Sequence, residues 1–451
     1  MENWINKSVF YHIYPLGCLG APQKNDFSAP VTPRLKELER WLPHLQDMQV
    51  NAVYLGPVFE SSAHGYDTAD YFRVDRRLGE NQTLKELVSL FHKNGIHVIL
   101  DGVFNHVGRD FFAFKDLQQQ GKNSQYLDWF SGIDFNRQSP SGDAFAYHGW
   151  NNHYDLVKLN LQNRAVCDYL FSAADLWMNE FGIDGLRIDA ADCIDLSFLQ
   201  QLSSRCKAYR SDFWMMGEII HGNYAHWVNC GALDSVTNYE CYKGLYSSHV
   251  DHNYFEIAYS LNRQFGEQGI YRHFLPYSFV DNHDVNRLLS NLTNPAHVYP
   301  VYCLLFCIPG IPSIYYGSEW GITGKRTESD DHMLRPQLDP QHMLCNPDVS
   351  GLPETIAKLA DIRRHSSALQ TGSYRQVLVS GEQFAFLREN EQESILTAVN
   401  SSQQAIALDI PSPVIHSSAV DLLTGETFEY QDGKLLIPNL LPNSGRIIRI
   451  Q

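Results

Sequence analysis

The chain of 451 residues contains no run of eighteen apolar residues. Its longest candidate, Val298 to Tyr316, is interrupted by Pro300, Pro309, Gly310 and Pro312, so a membrane span is not expected. Met1 to Phe10 lacks a basic patch followed by an apolar stretch, so no secretory leader is expected either. The nine cysteines are odd in number and include no CxxC pair, which argues against a disulfide framework or a zinc site. They read as reduced thiols of a cytoplasmic protein. Positive charge is in short supply: 35 Lys and Arg face 51 Asp and Glu, for a formal charge of -16. That field disfavours nucleic acid and anionic membranes as partners and leaves a neutral ligand unopposed. Internal repeats and low-complexity tracts are missing as well. What remains is a balanced globular chain, 44% hydrophobic, long enough for two or three folded units.

Short β-branched and aromatic runs alternate with longer helical patterns, which is the signature of βα units building a parallel sheet. Strands are expected near Val9 to Tyr14, Ala52 to Leu55, His97 to Val103, Gly185 to Asp189, Trp214 to Glu218, Ser235 to Asn238, Ser278 to Asn282 and Ser313 to Tyr316. Helical patterns fall between them, as at Arg34 to Met48, Thr83 to Asn94 and Arg164 to Phe181. The economical topology is a (β/α)8 barrel of the α/β class over 1–103 and 158–372. Residues 104–157 are too long for an ordinary loop and are expected to form an insertion over the barrel mouth. From 373 to 451 the texture changes to short alternating segments, among them Ser394 to Asn400, Ala405 to Ile410, Ala419 to Leu423 and Arg446 to Ile450. These predict an appended antiparallel β-sandwich.

Functional residues of such a barrel gather where its strands end. The third strand runs into Asp101-Gly-Val-Phe-Asn105-His106, the fourth ends in Arg187-Ile-Asp189, the fifth in Met216-Gly-Glu218, and the seventh in Asp281-Asn-His283-Asp284. A lone carboxylate at a strand end is usually a salt bridge; four such ends together point to chemistry. Asp189 suits a nucleophile kept ionised by Arg187 two residues earlier on the same face. Glu218, flanked by Met215, Met216 and Ile219, suits an acid whose proton is retained by apolar surroundings and a like-charged neighbour. Asp284, His106 and His283 are placed to hold the hydroxyls of a sugar ring. The 24 Tyr, 24 Phe and 8 Trp supply flat faces for the same ring, or for the core.

These segments, in this order, resemble the signature regions of the α-amylase family of glycoside hydrolases, and the resemblance covers essentially the whole chain. His64-Gly-Tyr66-Asp67 is similar to the family's platform at the subsite holding the cleaved sugar, and Gly310 to Gly317 to its eighth strand. The resemblance implies Asp189 as nucleophile, Glu218 as general acid/base and Asp284 as transition-state stabiliser, with Tyr66, His106, Arg187 and His283 lining that subsite. It also implies an α-glucan or maltooligosaccharide substrate, cleaved with retention, and the two carboxyls of a retaining enzyme stand about 5 to 5.5 Å apart. The stretch Tyr147-His-Gly-Trp150 followed by Leu156 to Asn160 resembles the neopullulanase, cyclomaltodextrinase and maltogenic amylase branch. Members of that branch usually carry an extra N-terminal β-domain, whereas here the first strand begins almost at once. Cys193 stands where they tend to have a glutamate and Ile220 where a tryptophan often follows the acid, both facing the leaving-group side.

In exo-acting relatives an acidic residue after the tyrosine and an arginine after the eighth strand close the pocket. Asp67 and Arg335 occupy similar places here, with a structural ion pair holding the loop as the competing reading. No metal or other cofactor is expected: Asn105 resembles a calcium-ligating position of classical α-amylases, but Asp192 and Cys193 replace the histidine that completes it, and Asn105 is more simply a support for His106. The readings left open are a hydrolase of short α-glucans, a transglycosylase sharing its intermediate, and a silent carbohydrate-binding relative, as monomer or homodimer.

Overall fold

The computed structural model describes residues 4–327, 330–411 and 419–450. Its centre is a sheet of eight parallel strands: β1 (Phe10–Ile13), β2 (Ala52–Leu55), β3 (His97–Gly102), β4 (Gly185–Ile188), β5 (Trp214–Gly217), β6 (Ser235–Val236), β7 (Tyr277–Ser278) and β8 (Ile311–Tyr315). Hydrogen bonding runs in the order β6-β5-β4-β3-β2-β1-β8-β7, and a parallel bridge from Thr237 to Tyr277 joins β6 to β7, so the sheet closes on itself. The strand period of two sorts the side chains. Phe10, Ala52, Tyr54, Ile99, Trp214, Met216, Tyr277 and Ile311 fill the barrel interior, whereas Tyr11, Val53, Leu55, Val98, Leu100, Leu186, Met215 and Ile314 pack outward with the helices.

Short polar side chains set the starts of two helices that follow barrel strands or the insertion. Asn163 accepts from the amide of Ala165 ahead of helix Arg164–Leu176, and Asp195 accepts from Ser197 and Phe198 ahead of helix Leu196–Tyr209. The predicted helix from Arg34 is instead a 3-10 segment, Arg34–Trp41, followed by a short α-helix, Leu42–Asp47. Pro43 explains the break, because it has no N–H to bond one turn back.

After β3 the chain leaves the barrel to form an antiparallel three-stranded sheet of His106–Gly108, His153–Lys158 and Gly149–Trp150, with helix Phe112–Gln120 packed beside it. From Ser373 the chain forms two antiparallel sheets, one of six strands and one of three. Alternation again assigns the faces: Ala385 and Leu387 point between the two sheets, while Phe384 and Phe386 of the same strand join the barrel core. Part of the predicted C-terminal unit, 412–418 and 451, lies outside the described residues. Among the described residues no helix is long and apolar enough to cross a membrane.

Candidate active site

Register puts the polar strand ends at one level. Asp101 of β3 lies opposite Arg187 of β4, which lies opposite Met216 of β5. One step further along, the amide of Glu218 bonds the carbonyl of Ile188, so Asp189 and Glu218 emerge side by side above the packed interior. Arg187, only 3% exposed, serves all three carboxylates. Its Nη1 lies 2.9 Å from Asp101 Oδ1 and 2.8 Å from Asp189 Oδ1, and its Nη2 lies 2.9 Å from Glu218 Oε2.

Three carboxylates around one guanidinium leave an excess of negative charge. Burial raises the Asp189 carboxyl well above the usual carboxylate range; Arg187 pulls it down, and Glu218 and Asp101 push it up again. The expected effect of Arg187 on Asp189 is therefore present but outweighed. Below about pH 4, where an exposed aspartate is protonated, burying Asp189 carries no charge penalty. The penalty is fully present once pH has risen through the elevated folded value. Asp189→Asn is thus expected to be more stable than the wild type near neutral pH, with the gain fading toward about pH 4, as read by urea unfolding at the two pH values.

Glu218 is not in the apolar pocket expected from its sequence neighbours. Met215 and Ile219 pack outward with the helices, and Met216 lies below in the barrel. The Glu218 carboxylate instead meets Arg187, accepts the Ala190 amide at 3.1 Å and accepts the Tyr239 hydroxyl at 3.3 Å. Ala190, immediately after Asp189, adopts a left-handed conformation at φ 43°, ψ 44°, a strained state for a residue with a Cβ. It turns the chain sharply and presents its N–H to Glu218.

The third predicted carboxylate sits on the opposite wall and is the most open, with its side chain 31% exposed. His283 Nε2 is 2.9 Å from Asp284 Oδ2, and Arg335 Nη2 is 3.2 Å from Oδ1. Burial opposes its ionisation, but His283, Arg335 and Arg187 outweigh that and hold Asp284 well below the usual range. The Tyr66 hydroxyl bonds the same His283 nitrogen and donates to Asp101 at 3.2 Å, and the Tyr66 and His283 rings stack 5.4 Å apart. His106 completes the floor: its Nε2 lies 3.8 Å from Asp189 Oδ2 with no hydrogen-bond partner, and burial drives its imidazole down to about 3, so it is neutral at working pH.

Asp67 is buried and the Arg335 side chain is only 8% exposed, but the two are not partners. Arg335 pairs with Asp284 and, at 2.7 Å, with Asp331 on its own loop, and lies 4.6 Å over the Tyr14 ring. Asp67 faces His64 at 3.8 Å, and its Oδ1 has no hydrogen-bond partner. As expected, Asn105 supports His106, at 3.1 Å from its Nδ1. At the position that resembles the family's calcium ligand, the Asn105 amide nitrogen meets the imidazole of His106, while its Oδ1 is buried without a hydrogen-bond partner. Among the described residues Asp330, Asp331 and His332 could converge on an ion, but Asp331 is already committed to Arg335.

Several residues that shape the site were assigned no role from the sequence, although Asp101 was seen as a strand end. Asp101 is the hub, receiving Arg187, Tyr54 at 2.5 Å and Tyr66. His12 of β1 stacks on Tyr54 and meets the His283 ring edge-on at 5.1 Å. Tyr14 stacks on the other face of that neighbourhood, 5.9 Å from His283, and its hydroxyl holds the carbonyl of His64 at 2.5 Å. The available signal was parity: His12, Tyr54 and Asp101 all fall on the inward face of their strands.

A barrel mouth with carboxylates on three neighbouring strand ends, an arginine fork and stacked rings defines a glycosidase, and comparison with known proteins agrees. Residues 34–350 match the α-amylase catalytic domain, and 374–443 match the maltogenic amylase C-terminal domain. The chain is 30% identical over 423 residues to a cyclomaltodextrinase of a Bacillus species, spanning 89% of this chain and 74% of that protein. It is also 30% identical over 342 residues to an intracellular maltogenic amylase of Bacillus subtilis, spanning 71% of this chain and 57% of the relative. A cyclomaltodextrinase structure superposes with a TM-score of 0.87 at 27% identity, over 99% of this chain and 78% of the other. The protein is an α-glycoside hydrolase. It belongs to the α-amylase family.

Proposed function

We propose that the chain is a retaining hydrolase of α-1,4-glucosidic bonds in maltooligosaccharides, cyclodextrins or related short α-glucans. The observation that carries this reading is the Arg187 fork, which holds Asp189 and Glu218 close together on adjacent strand ends. Such proximity suits a covalent intermediate rather than the wider gap that admits a water between carboxyls.

In this reading Asp189 attacks the anomeric carbon while Glu218 gives its proton to the departing glycosidic oxygen. A glucosyl-aspartate forms, Glu218, now a carboxylate, takes a proton from water, and the hydroxide so generated releases the sugar with the original configuration. Asp284, held ionised by Arg335 and His283, stabilises positive charge developing on the ring. Neutral His106, with its free Nε2, and Tyr66 bind the hydroxyls and the face of that ring. Because Asp67 and Arg335 stand on the walled side beside Tyr14, the site accepts a chain end and releases short products. A cytoplasmic location is supported by the relative named as intracellular.

The test is a product time course on maltoheptaose, β-cyclodextrin, pullulan and soluble starch, with and without chelator. Early glucose or maltose from the short substrates, unchanged by chelation and with starch nearly intact, is the expected result. Rapid scission of starch into mixed oligomers would remove the pocket role of Asp67 and Arg335. Longer oligomers from concentrated maltotriose would show transfer to sugar in place of water.

A further inference from the structure

The two sides of the candidate site differ in how they are closed. On one side the Arg335 side chain, Tyr14 and Asp67 are each 8% exposed or less: Arg335 lies over the Tyr14 ring, and Tyr14 bonds the carbonyl of His64, which faces Asp67. On the other, the wall is built from the inserted segment and the turn after Asp189, and it is open. Cys193, at the end of that turn, is exposed, as is Ile220 two residues after Glu218. Beside Cys193 stands Trp150, half-buried, at the tip of the hairpin Gly149–Trp150/His153–Lys158. Its ring centroid is 5.8 Å from that of His106, whose Nε2 is 3.8 Å from Asp189. His153 stacks along it at 5.9 Å, and the Trp150 side chain lies beside the Cys193 thiol.

The hairpin is pinned at this place. Its register shifts between Gly149 and Trp150, and a Cβ at residue 149 would stand 2.3 Å from the carbonyl of His153, so only glycine allows the turn that presents the indole. A large aromatic side chain left partly open beside a reacting centre is an unusual use of apolar surface. Its flat face is what an aldopyranose ring offers its own C–H face to.

We infer that Trp150 is the aromatic platform for the sugar on the leaving-group side of the scissile bond, so that the inserted hairpin, rather than the barrel, selects what departs and what returns as acceptor. This rests on the hydrolase reading above. Binding energy gathered from a sugar remote from the reacting carbon counts only for substrates that have one.

The experiment compares Trp150→Ala and Trp150→Phe with the wild type on maltotriose and on α-glucosyl fluoride, whose leaving group is a single ion and cannot touch the platform. Trp150→Ala is expected to lose about tenfold or more in kcat/KM on maltotriose relative to its loss on the fluoride, mostly through KM, with Trp150→Phe recovering much of it. Equal losses on both substrates, or none on maltotriose, would overturn the assignment. Maltotriose titration followed by tryptophan fluorescence separates the two readings: quenching is expected in the wild type and is expected to be lost in Trp150→Phe. If the wild type cleaves neither substrate but shows that Trp150-dependent quench, the hydrolase reading falls and the platform stands. An unchanged quench in Trp150→Phe overturns the platform.

Discussion

Asp189→Asn is expected to lower kcat on short α-glucans by on the order of 10³-fold or more, because it removes a bond-forming group rather than a contact. The structure makes this a clean test. Asn is nearly isosteric, Arg187 keeps Asp101 and Glu218 as partners, and the strained turn at Ala190 belongs to the backbone. Together with the stability gain predicted at neutral pH, the variant should be better folded and close to inert. An active Asp189→Asn enzyme, once deamidation is excluded by mass spectrometry, removes the nucleophile assignment. Glu218→Gln should show a similar loss on maltotriose but a much smaller one on α-glucosyl fluoride, since fluoride departs without a proton. A loss of equal size on both would mean that Glu218 does something other than donate that proton.

Arg187→Leu carries the second large effect, and it falls on stability as well as rate. The side chain is 3% exposed and is the shared partner of three carboxylates whose side chains are themselves 11% exposed or less. Breaking a buried ion pair from one side costs about 3–5 kcal/mol, because the remaining charge keeps its desolvation penalty without compensation. Urea unfolding should show a loss of that order near neutral pH. The loss should shrink on acidification, as the stranded carboxylates take up protons and cease to be charged. Arg187→Lys should recover little, since one ammonium cannot span the positions reached by the two arms of a guanidinium. A stable, active Arg187→Leu protein would mean that the fork is not what organises the site.

The barrel was legible because its signal repeats. Each predicted strand is found within a few residues, and the period of two assigned Arg187 and Asp189 to one face. The sequence also supplied the catalytic candidates and the family. It did not determine what stands across from each residue. Apolar neighbours in the chain made Glu218 look buried in an apolar pocket, but in a strand those neighbours point elsewhere, and its real surroundings come from Arg187, Ala190 and Tyr239. Of the two readings of Asp67 and Arg335, the ion pair falls: the loop delivers Arg335 to Asp284 and Asp331, leaving Asp67 to His64. Asp101 looked like one strand end among several until barrel closure brought Tyr54, Tyr66 and Arg187 onto it. Trp150 carried no period at all, and only the fold of the insertion sets it beside His106. Local pattern fixes the face on which a side chain stands; which charges and rings meet there is decided by the closure of the sheet and the docking of the loops, and that is where the balance of charge in this site is set.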